Sequence, residues 1–325
     1  MSVAAPLTPA VLQIDAAAEA DRLASAIRGV LRDLRRRGVV VGLSGGVDSS
    51  VVAALAARAV GPQRVIGLMM PETDSSGESL VLAQQLAAEL GIQTAVEDIT
   101  STLTAAGCYR RRDAAIRTVI PEYGDGWRCK IVLPDLRSSG YALYAIVVQS
   151  PSGAERRLRL SLDAYLGVLA ATNMKQRVRT LIEYTYADRH HYAVAGTPNR
   201  LEYDQGFFVK HGDGAADFKP IAHLYKSQVY QLAAHLRIPA TIRERRPTTD
   251  TYSLEQSQEE FFFGLTLEQT DLCLYARDHD LPADAVADAV GLTPEHTRRA
   301  FRMIDAKREV ARYLHMPPVV FDADS

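Results

Sequence analysis

Most of what can be predicted about the fold starts from the stretch Val39-Val40-Val41-Gly42-Leu43-Ser44-Gly45-Gly46-Val47-Asp48-Ser49-Ser50. The apolar residues at its start are typical of a buried strand, and the alanine-rich sequence after it is typical of a helix. The adjacent glycines allow the backbone to approach an anion, and the new helix directs unpaired N–H groups toward that anion. The stretch therefore predicts a pyrophosphate-binding loop, with an ordinary serine-glycine turn as the alternative.

The loop contains one acid, Asp48, which is unusual beside phosphates because like charges repel. A magnesium ion between them would remove this conflict, so Asp48 is a candidate metal ligand. The loop lacks both the Gly-Lys-Ser/Thr ending of a P-loop and the spaced glycines of a dinucleotide site. It resembles instead the loop of ATP pyrophosphatases, which split ATP between its α and β phosphates to adenylate a substrate. This resemblance implies that the residues binding ATP here are Gly42, Leu43, Ser44, Gly45, Gly46, Val47, Asp48, Ser49 and Ser50.

Strands and helices alternate on both sides of this loop. Apolar residues at helical spacing predict a first helix over 15–37, which Gly38 ends. The same reasoning predicts, in chain order, a helix over 49–60, a strand over 64–70, a helix over 79–90, a strand over 94–99 and, much later, a strand over 192–196. Such alternation favours a parallel sheet with right-handed crossovers. We expect an open, doubly wound α/β sheet of the adenine nucleotide alpha hydrolase-like kind.

The alternation stops over residues 102–161, which contain arginines, glycines and extended runs. The runs 130–133 and 142–148, with a Pro-Ser-Gly turn after the second, predict an inserted β-hairpin. No periodic apolar pattern predicts a core for this segment. The cluster Tyr109-Arg110-Arg111-Arg112 and the single tryptophan, Trp127, leave two interpretations open: a substrate or partner surface, or a structural insertion that packs in a dimer.

The amino-acid composition of the chain limits the kinds of partner that it can bind. The chain has 325 residues, with 37 lysines and arginines against 39 acids, so no broad positive field attracts nucleic acid or a membrane surface. Its three cysteines are far apart in sequence and suggest neither a zinc site nor a disulfide framework. No signal peptide and no apolar run long enough to cross a bilayer is evident. We therefore expect a cytoplasmic protein that binds neither nucleic acid nor membrane.

Chemically informative residues follow the predicted strand 192–196, where ligands gather in an open parallel sheet. They include Thr197-Pro198-Asn199-Arg200-Leu201-Glu202 and the glycine-rich run 206–217, with Phe207-Phe208-Val209-Lys210 and Asp217. Together with the loop and the upstream run Asn173-Met174-Lys175-Gln176-Arg177-Val178-Arg179, this order of motifs is similar to that of ammonia-dependent NAD synthetases. The resemblance covers residues 24–93 and 171–251, about half of the chain.

The resemblance implies a role for each matching residue. Glu202 would share a magnesium ion with Asp48, and Asp48, Glu202 and Lys210 would be the catalytic residues. ATP would also contact Thr197, Lys226 and Thr248. The deamido-NAD substrate would be bound by Arg177, Lys210 and Asp217.

The implied reaction is an ATP-dependent amidation. The carboxylate of deamido-NAD would attack the α-phosphorus of ATP, and magnesium and lysines must then neutralise the phosphate oxygens. Ammonia would attack the resulting acyl adenylate, giving NAD, AMP and pyrophosphate. The cofactors expected are ATP, as a substrate, and Mg²⁺. Too few residues precede the first helix to form an amidase domain, so the nitrogen donor would be free ammonia or a separate glutaminase.

Two other functions stay open. A paralogous ligase that amidates a different carboxylic acid is favoured by Glu72-Thr73-Asp74-Ser75-Ser76, which departs from the serine-rich substrate loop usual in the family. A non-catalytic, nucleotide-binding regulatory protein is the second alternative, although pure binding does not require the pair Asp48 and Glu202. For Arg177 and Arg179, with Glu183 at helical spacing from Arg179, a salt-bridged helix face competes with a substrate role.

The expected domain organisation has three parts. Residues 1–21 form an arm and the start of the first helix, and residues 22–260 form the ATP pyrophosphatase-type domain with its insertion. Residues 261–325 form a helical cap and tail, with amphipathic helices over 267–279 and 294–313. The resembled family is dimeric, so we also expect a homodimer.

Overall fold

The computed structural model describes residues 7–132, 144–248, 251–258 and 264–321. Its strands are β1 (Val39–Gly42), β2 (Val65–Met69), β3 (Gln93–Val96), β4 (Arg128–Val132), β5 (Ala145–Gln149), β6 (Glu155–Arg159) and β7 (Ala193–Ala195). Its α-helices are α1 (Ala16–Asp33), α2 (Val47–Val60), α3 (Gly77–Leu90), α4 (Thr100–Ala105), α5 (Cys108–Arg117), α6 (Leu162–His190), α7 (Arg200–Gln205), α8 (Lys226–His235), α9 (Ala240–Arg243), α10 (Leu267–Asp278), α11 (Ala283–Val290) and α12 (Pro294–His315).

Four parallel strands form the main sheet in the order β3-β2-β1-β7. Val40 of β1 pairs with Ile66 of β2 on one side and with Val194 of β7 on the other. The chain proceeds outward from β1 through β2 to β3 and then returns to place β7 on the opposite side of β1. The gap between β1 and β7 is therefore the switch point of a doubly wound sheet, the crevice where such folds bind ligands. The predicted fold class is confirmed.

Helices cover both faces of this sheet. One apolar core joins residues of α1, α2, α3 and α8 to β1 and β2, and a second joins β1, β2 and β7 to α4 and α6. Asp15 caps α1 by accepting hydrogen bonds from two amides of its first turn. The helix ends at Asp33 rather than at the predicted Arg37, because Arg35 adopts a left-handed conformation with φ of 55°.

The segment predicted as an inserted hairpin is larger than a hairpin. Strands β5 and β6 form the expected hairpin, and β4 adds a third strand to give an antiparallel sheet in the order β4-β5-β6. This sheet has an apolar core of its own, which includes Ile116, Tyr123, Ile131 and Ile146, against the expectation that it would lack one. We call residues 118–160 the inserted unit. Residues 133–143, at one end of the predicted runs, lie outside the described residues.

The C-terminal helices form a fourth apolar cluster. Residues of α10, α11 and α12 pack together and against Leu201 of α7 and Tyr225. The two predicted helices are present, and α11 lies between them. No helix of the described residues is long and apolar enough to cross a membrane. The domain limits predicted above stay predictions, and residues 1–6, 259–263 and 322–325 within them lie outside the described residues.

Candidate active site

A cavity of about 520 Å³ opens at the carboxyl end of β1. Loop residues from Gly42 to Ser49 form part of its lining, and Thr197, Pro198 and Glu202, which follow β7, form another part. The cavity thus occupies the switch point of the sheet, and its volume is in the range of small-molecule sites. Ser50, the last residue of the predicted loop, is buried behind it.

The loop is held in one shape by its own hydroxyl groups. Ser49 and Ser50 donate through Oγ to the carbonyl oxygen of Gly46, at 3.1 and 2.7 Å, and the Ser44 hydroxyl accepts from the Gly46 amide at 3.3 Å. Gly45 has φ of 74°, and a Cβ there would clash with the backbone carbonyl oxygen of Ser79. Glycine is therefore required at this position for two independent reasons. The first-turn amides of α2 have no helical partner and face the cavity end of the helix.

Asp48 is held at the cavity by two side chains from distant parts of the chain. The Asn199 amide donates to Asp48 Oδ1 at 3.0 Å, and the Lys226 ammonium forms a close ion pair with Asp48 Oδ2. Burial alone would lower the pKa of Lys226, but the carboxylates of Asp48 and Glu202 raise it above its ordinary value. Lys226 therefore carries a positive charge beside the loop that is predicted to bind pyrophosphate.

Lys226 is placed by the N-terminus of α8. Buried Asp271 accepts hydrogen bonds from the backbone amides of Lys226 and Ser227, at 3.0 and 2.7 Å, and so supplies partners for the first turn of the helix. Asp271 comes from α10, which the sequence assigns to the C-terminal part of the chain. Sequence reasoning identified Lys226 but not this support.

Glu202 lies in the first turn of α7 and lines the cavity. It forms a capping box with Asn199, and Gln258 donates to Glu202 Oε1 at 2.8 Å. Burial, and then the negative charge of Asp48, raise the pKa of Glu202 to about 8. The structure thus brings together the two acids that the sequence predicted as metal ligands, although 153 residues lie between them.

This acid pair suits a magnesium ion. Carboxylate oxygens are the ligands that Mg²⁺ prefers, and a cation between Asp48 and Glu202 would relieve the repulsion that raises the pKa of Glu202. Among the described residues no group of three or more His, Cys, Asp or Glu side chains forms a metal cluster. A protein nevertheless usually binds Mg²⁺ through only one or two carboxylates, because phosphates and water supply the other ligands.

A second pair of acids, which sequence reasoning did not assign to the site, lines the same cavity. Burial, and then the charge of Asp213, raise the pKa of Glu183 to about 8, while Arg179 opposes this shift. Burial also raises the pKa of Asp213 to about 6, although the Val209 amide donates to its Oδ1 at 2.8 Å. The Glu183 carboxyl lies directly against Gly42, where a Cβ would clash with it. Helical spacing from Arg179 was the one signal for Glu183 in the sequence.

Three predicted substrate residues lie outside the cavity lining. Arg177 is exposed on α6 and donates to the carbonyl oxygen of Lys210 at 3.3 Å. The Lys210 ammonium donates to the carbonyl oxygen of Tyr313 at 2.9 Å and lies 4.2 Å from the centre of its ring. Asp217 accepts from the Val194 amide at 2.8 Å, which ties it to β7. Their contacts with a dinucleotide stay predictions.

Thr248, the last predicted ATP residue, does line the cavity, next to two arginines that the sequence analysis did not single out. Arg245 donates to the Ser79 hydroxyl at 3.1 Å, and Arg246 lines the wall beside it. The segment 243–246, which contains three arginines and ends two residues before Thr248, could have indicated them. Tyr144 and Tyr165, which also line the cavity, stack with ring centres 4.2 Å apart.

A buried charged cluster lies behind the cavity wall. The Lys175 ammonium contacts Glu72 at 2.9 Å, Asp74 at 2.6 Å and the carbonyl oxygen of Thr251 at 2.8 Å. Arg112 forms a second ion pair with Asp74 at 2.6 Å. The arginine cluster in which Arg112 lies is therefore partly structural, and the departure at Glu72-Thr73-Asp74 supplies its partners.

Comparison with known proteins shows which family this chain belongs to. The family model described as NAD synthase matches residues 19–117 and 158–312. This chain belongs to the NAD synthase family. The match leaves out residues 118–157, which form almost the whole of the inserted unit.

Close relatives carry a single name. The NH(3)-dependent NAD(+) synthetase of Rhizobium meliloti (strain 1021) is 58% identical over 308 residues, which are 94% of this chain and 92% of that protein. The protein of the same name from Mesorhizobium japonicum is 56% identical and covers 95% of this chain and 98% of its own length. A more distant NH(3)-dependent NAD(+) synthetase, from Thermotoga maritima, is 32% identical over 93% of this chain and 99% of its own length.

Solved structures share the fold of this NAD synthase family member. An NMN synthetase from Francisella tularensis superposes with a TM-score of 0.66 at 20% identity, and an NH3-dependent NAD synthetase from Campylobacter jejuni with a TM-score of 0.63 at 21% identity. Each comparison covers 95% of this chain and all of the other.

Proposed function

We propose that this chain is an ammonia-dependent NAD synthetase, an ATP-dependent ligase that amidates deamido-NAD through an acyl adenylate. The observation that carries the proposal is the placement of Asp48, Lys226 and Glu202 around the pyrophosphate loop at the switch point of the sheet. Family membership and the shared name of the close relatives support the choice of acid and nitrogen donor.

The residues of the cavity have different roles in the first half-reaction, in which ATP adenylates the carboxylate. The loop amides and the N-terminus of α2 receive the β and γ phosphates, which leave together as pyrophosphate. Lys226 places one fixed positive charge beside Asp48, and the cation that Asp48 and Glu202 would hold adds charge where phosphate oxygens become more negative. Arg245 and Arg246 supply further positive charge on the same wall. These contacts lower the repulsion that a carboxylate meets when it approaches the α-phosphorus.

The second half-reaction needs ammonia in its neutral form. In neutral water most of it is ammonium, which cannot attack an acyl group until it loses a proton. Glu183 and Asp213 form a pair of buried acids in the cavity. The pKa of Asp213, about 6, leaves its carboxylate ionised near neutrality, so it can attract a cation and accept its proton, whereas burial raises the pKa of Glu183 to about 8 and Glu183 keeps its own proton. We propose that this pair receives ammonium next to the acyl adenylate.

We also propose that the protein is a homodimer formed through α6. Leu162, Leu166 and Leu181 are exposed on this helix, with 70%, 48% and 63% of their surfaces accessible. At about 100° per residue they lie within about 100° of one another around the helix, and Arg177 lies among them. An apolar stripe that surrounds a predicted substrate residue supports a subunit interface close to the dinucleotide.

The remaining parts of the proposal concern supply and location. Ammonia would come from solution or from a separate glutaminase. We place the reaction in the cytoplasm, since it consumes ATP and since the three cysteines are free and buried.

One product assay tests the activity. The protein would be incubated with ATP, Mg²⁺, ammonium and one acid at a time, either deamido-NAD or nicotinate mononucleotide, the acid whose amidation gives NMN. Equal amounts of NAD, AMP and pyrophosphate with deamido-NAD support the proposal. AMP release only with the second acid, or with another acid, supports the paralogous ligase. Binding of ATP without AMP release under every condition supports the regulatory protein.

The dimer has its own test. Leu166→Glu combined with Leu181→Glu places two charges on the apolar stripe, and light scattering is expected to show a halved molecular mass. Leu34→Glu, at an exposed leucine after α1, is the matched control and should leave the mass unchanged. A wild-type protein that is already monomeric at micromolar concentration would contradict the proposed interface.

A further inference from the structure

Tyr144 of the inserted unit lines the cavity directly, and a short piece of chain links the unit to the acids of the site. We call residues 251–258 the strap. Its Ser253 hydroxyl accepts from the Cys129 amide at 2.9 Å, and the Leu254 amide donates to the Cys129 carbonyl oxygen at 3.1 Å. Arg128 donates through Nε to the Ser253 carbonyl oxygen at 2.7 Å. The strap is therefore bonded along the outer edge of β4, a strand that the family model does not match.

The other end of the strap lies in the active site. Gln258 is only 9% exposed, and its amide donates to Glu202 Oε1 at 2.8 Å. The Gln258 backbone amide donates to the Pro247 carbonyl oxygen at 3.2 Å, and Ser257 forms a bridge with Thr248. These contacts place the end of the strap against both a predicted metal ligand and a predicted ATP residue.

The start of the strap is also bonded to α6, a helix that packs against the main sheet. Lys175 of α6 donates to the Thr251 carbonyl oxygen at 2.8 Å while its charge is balanced by Glu72 and Asp74. Tyr252, the next residue, is buried in the core of the inserted unit. The start of the strap is thus fixed where the two sheets meet, its middle follows β4, and its end reaches Glu202.

We propose that the inserted unit is a positioning element for the active site, which holds Gln258 against Glu202 through the strap. A carboxylate with a second, independent hydrogen bond besides its capping box has fewer orientations available, and a pre-oriented ligand loses less entropy on binding a cation. Gln258 does not touch substrate in this scheme. It acts through Glu202, and the inserted unit acts through Gln258. The proposal rests on the proposed function only in its use of Glu202 as a metal ligand.

The first experiment changes one residue at each end of the series of contacts that runs from β4 through the strap to Glu202. Gln258→Leu removes the hydrogen bond to Glu202, and Arg128→Met removes a bond between β4 and the strap at an exposed site far from the cavity. Arg156→Met is the matched control, because Arg156 is exposed on β6 of the same unit and pairs only with Glu122 among the contacts described for it. Circular dichroism and the emission of Trp127, which packs against Tyr123 in the inserted unit, check that each variant is folded.

Three readouts are compared for each variant. For Gln258→Leu we expect about tenfold weaker binding of Mn²⁺ in the presence of a non-hydrolysable ATP analogue, and about tenfold lower kcat with little change in KM for deamido-NAD. For Arg128→Met we expect changes of about threefold in the same direction. Hydrogen–deuterium exchange of the peptide that contains α7 should become faster in both variants, and Arg156→Met should match the wild type in all three readouts.

The results that would overturn the proposal are distinct from those that concern the reaction. Unchanged metal binding and unchanged exchange of α7 in Gln258→Leu would overturn it, as would equal behaviour of Arg128→Met and Arg156→Met. Failure of the wild type to make NAD would contradict the proposed function, whereas metal binding and exchange would still decide whether the strap positions Glu202. Gln258→Glu sharpens the test, since a carboxylate at the same place should turn Glu202 away and reduce kcat more than leucine does.

Discussion

The two sheets of the molecule differ in how they build the cavity. The parallel sheet supplies the reacting side of the site, because its strands β1 and β7 end at the switch point and bring Asp48 and Glu202 to the cavity. The antiparallel sheet supplies Tyr144 and the edge along which the strap lies, but none of the predicted ATP or metal residues. The first contribution follows from topology, and the second depends on tertiary contacts between segments that lie far apart in the chain. The family model matches the first sheet and omits the second, except for residues 158 and 159 at the end of β6.

The junction between the sheets is where we expect the largest effect on stability. Lys175→Met leaves Glu72 and Asp74 buried without their main cation, so the free energy of unfolding should fall by about 3–5 kcal/mol. Arg156→Met removes an exposed ion pair on the antiparallel sheet and should cost less than about 1 kcal/mol. Urea unfolding of both variants measures the difference. Equal losses would mean that the junction is no more important than the surface of the inserted unit.

The reacting side of the parallel sheet is tested by its two acids. Asp48→Asn and Glu202→Gln should each reduce kcat by about 100-fold or more, since the charge stabilisation from a bound cation contributes several kcal/mol. The control is Asp21→Asn, at an exposed acid that pairs with Arg58 on the helix layer. The measurement is NAD formation at saturating substrates, with thermal unfolding to show that the fold is retained. Rates close to the wild type in both acid variants would remove the metal assignment.

Two glycines, one in a loop next to each sheet, give a matched pair of tests of backbone conformation. Gly45→Ala combines left-handed strain with a clash against the Ser79 carbonyl, so we expect a loss of about 3 kcal/mol and weaker binding of an ATP analogue. Gly153, at the hairpin turn of the inserted unit, has φ of 85° and open space around it, so Gly153→Ala should cost about 1–2 kcal/mol and leave nucleotide binding unchanged. Urea unfolding and calorimetric titration measure the two effects. A loss of nucleotide binding in Gly153→Ala would contradict the separate roles of the sheets.

The last expected effect is a dependence of the free energy of unfolding on pH, caused by an acid in the cavity. The pKa of Glu183 is raised from 4.5 to about 8, so the folded protein holds a proton that the unfolded chain has lost between these values. Stability from this group is present below pH 4.5 and is lost as pH rises through 8. Relative to Glu183→Gln, the wild type should therefore become less stable as pH rises over that window. Parallel stability curves for the two proteins would show that the Glu183 carboxyl is ionised at neutral pH in the fold.

Much of the fold could be predicted from the first strand and its loop, because the interactions that determine them are local. A run of valines, a turn that only glycine tolerates and an alanine-rich helix determine a strand, an anion-binding loop and a helix without reference to the rest of the chain. The alternation that follows predicts a parallel sheet, and the rule for its switch point brings the segment after β7 to the loop. Asp48, Thr197, Glu202 and Lys226 could therefore be placed in one site from the sequence, with the family resemblance supplying their roles.

Tertiary structure alone decided which side chains surround these residues. Asn199, Gln258 and Asp271 support Asp48, Glu202 and Lys226 from distant positions, and no spacing in the sequence connects such pairs. The core of the inserted unit was missed for the same reason, because its apolar residues come from α5, three short strands, the start of α6 and Tyr252, with no continuous period. Local propensity and periodicity act over a few residues, whereas burial and charge pairing depend on the final proximity of segments that lie far apart in the chain.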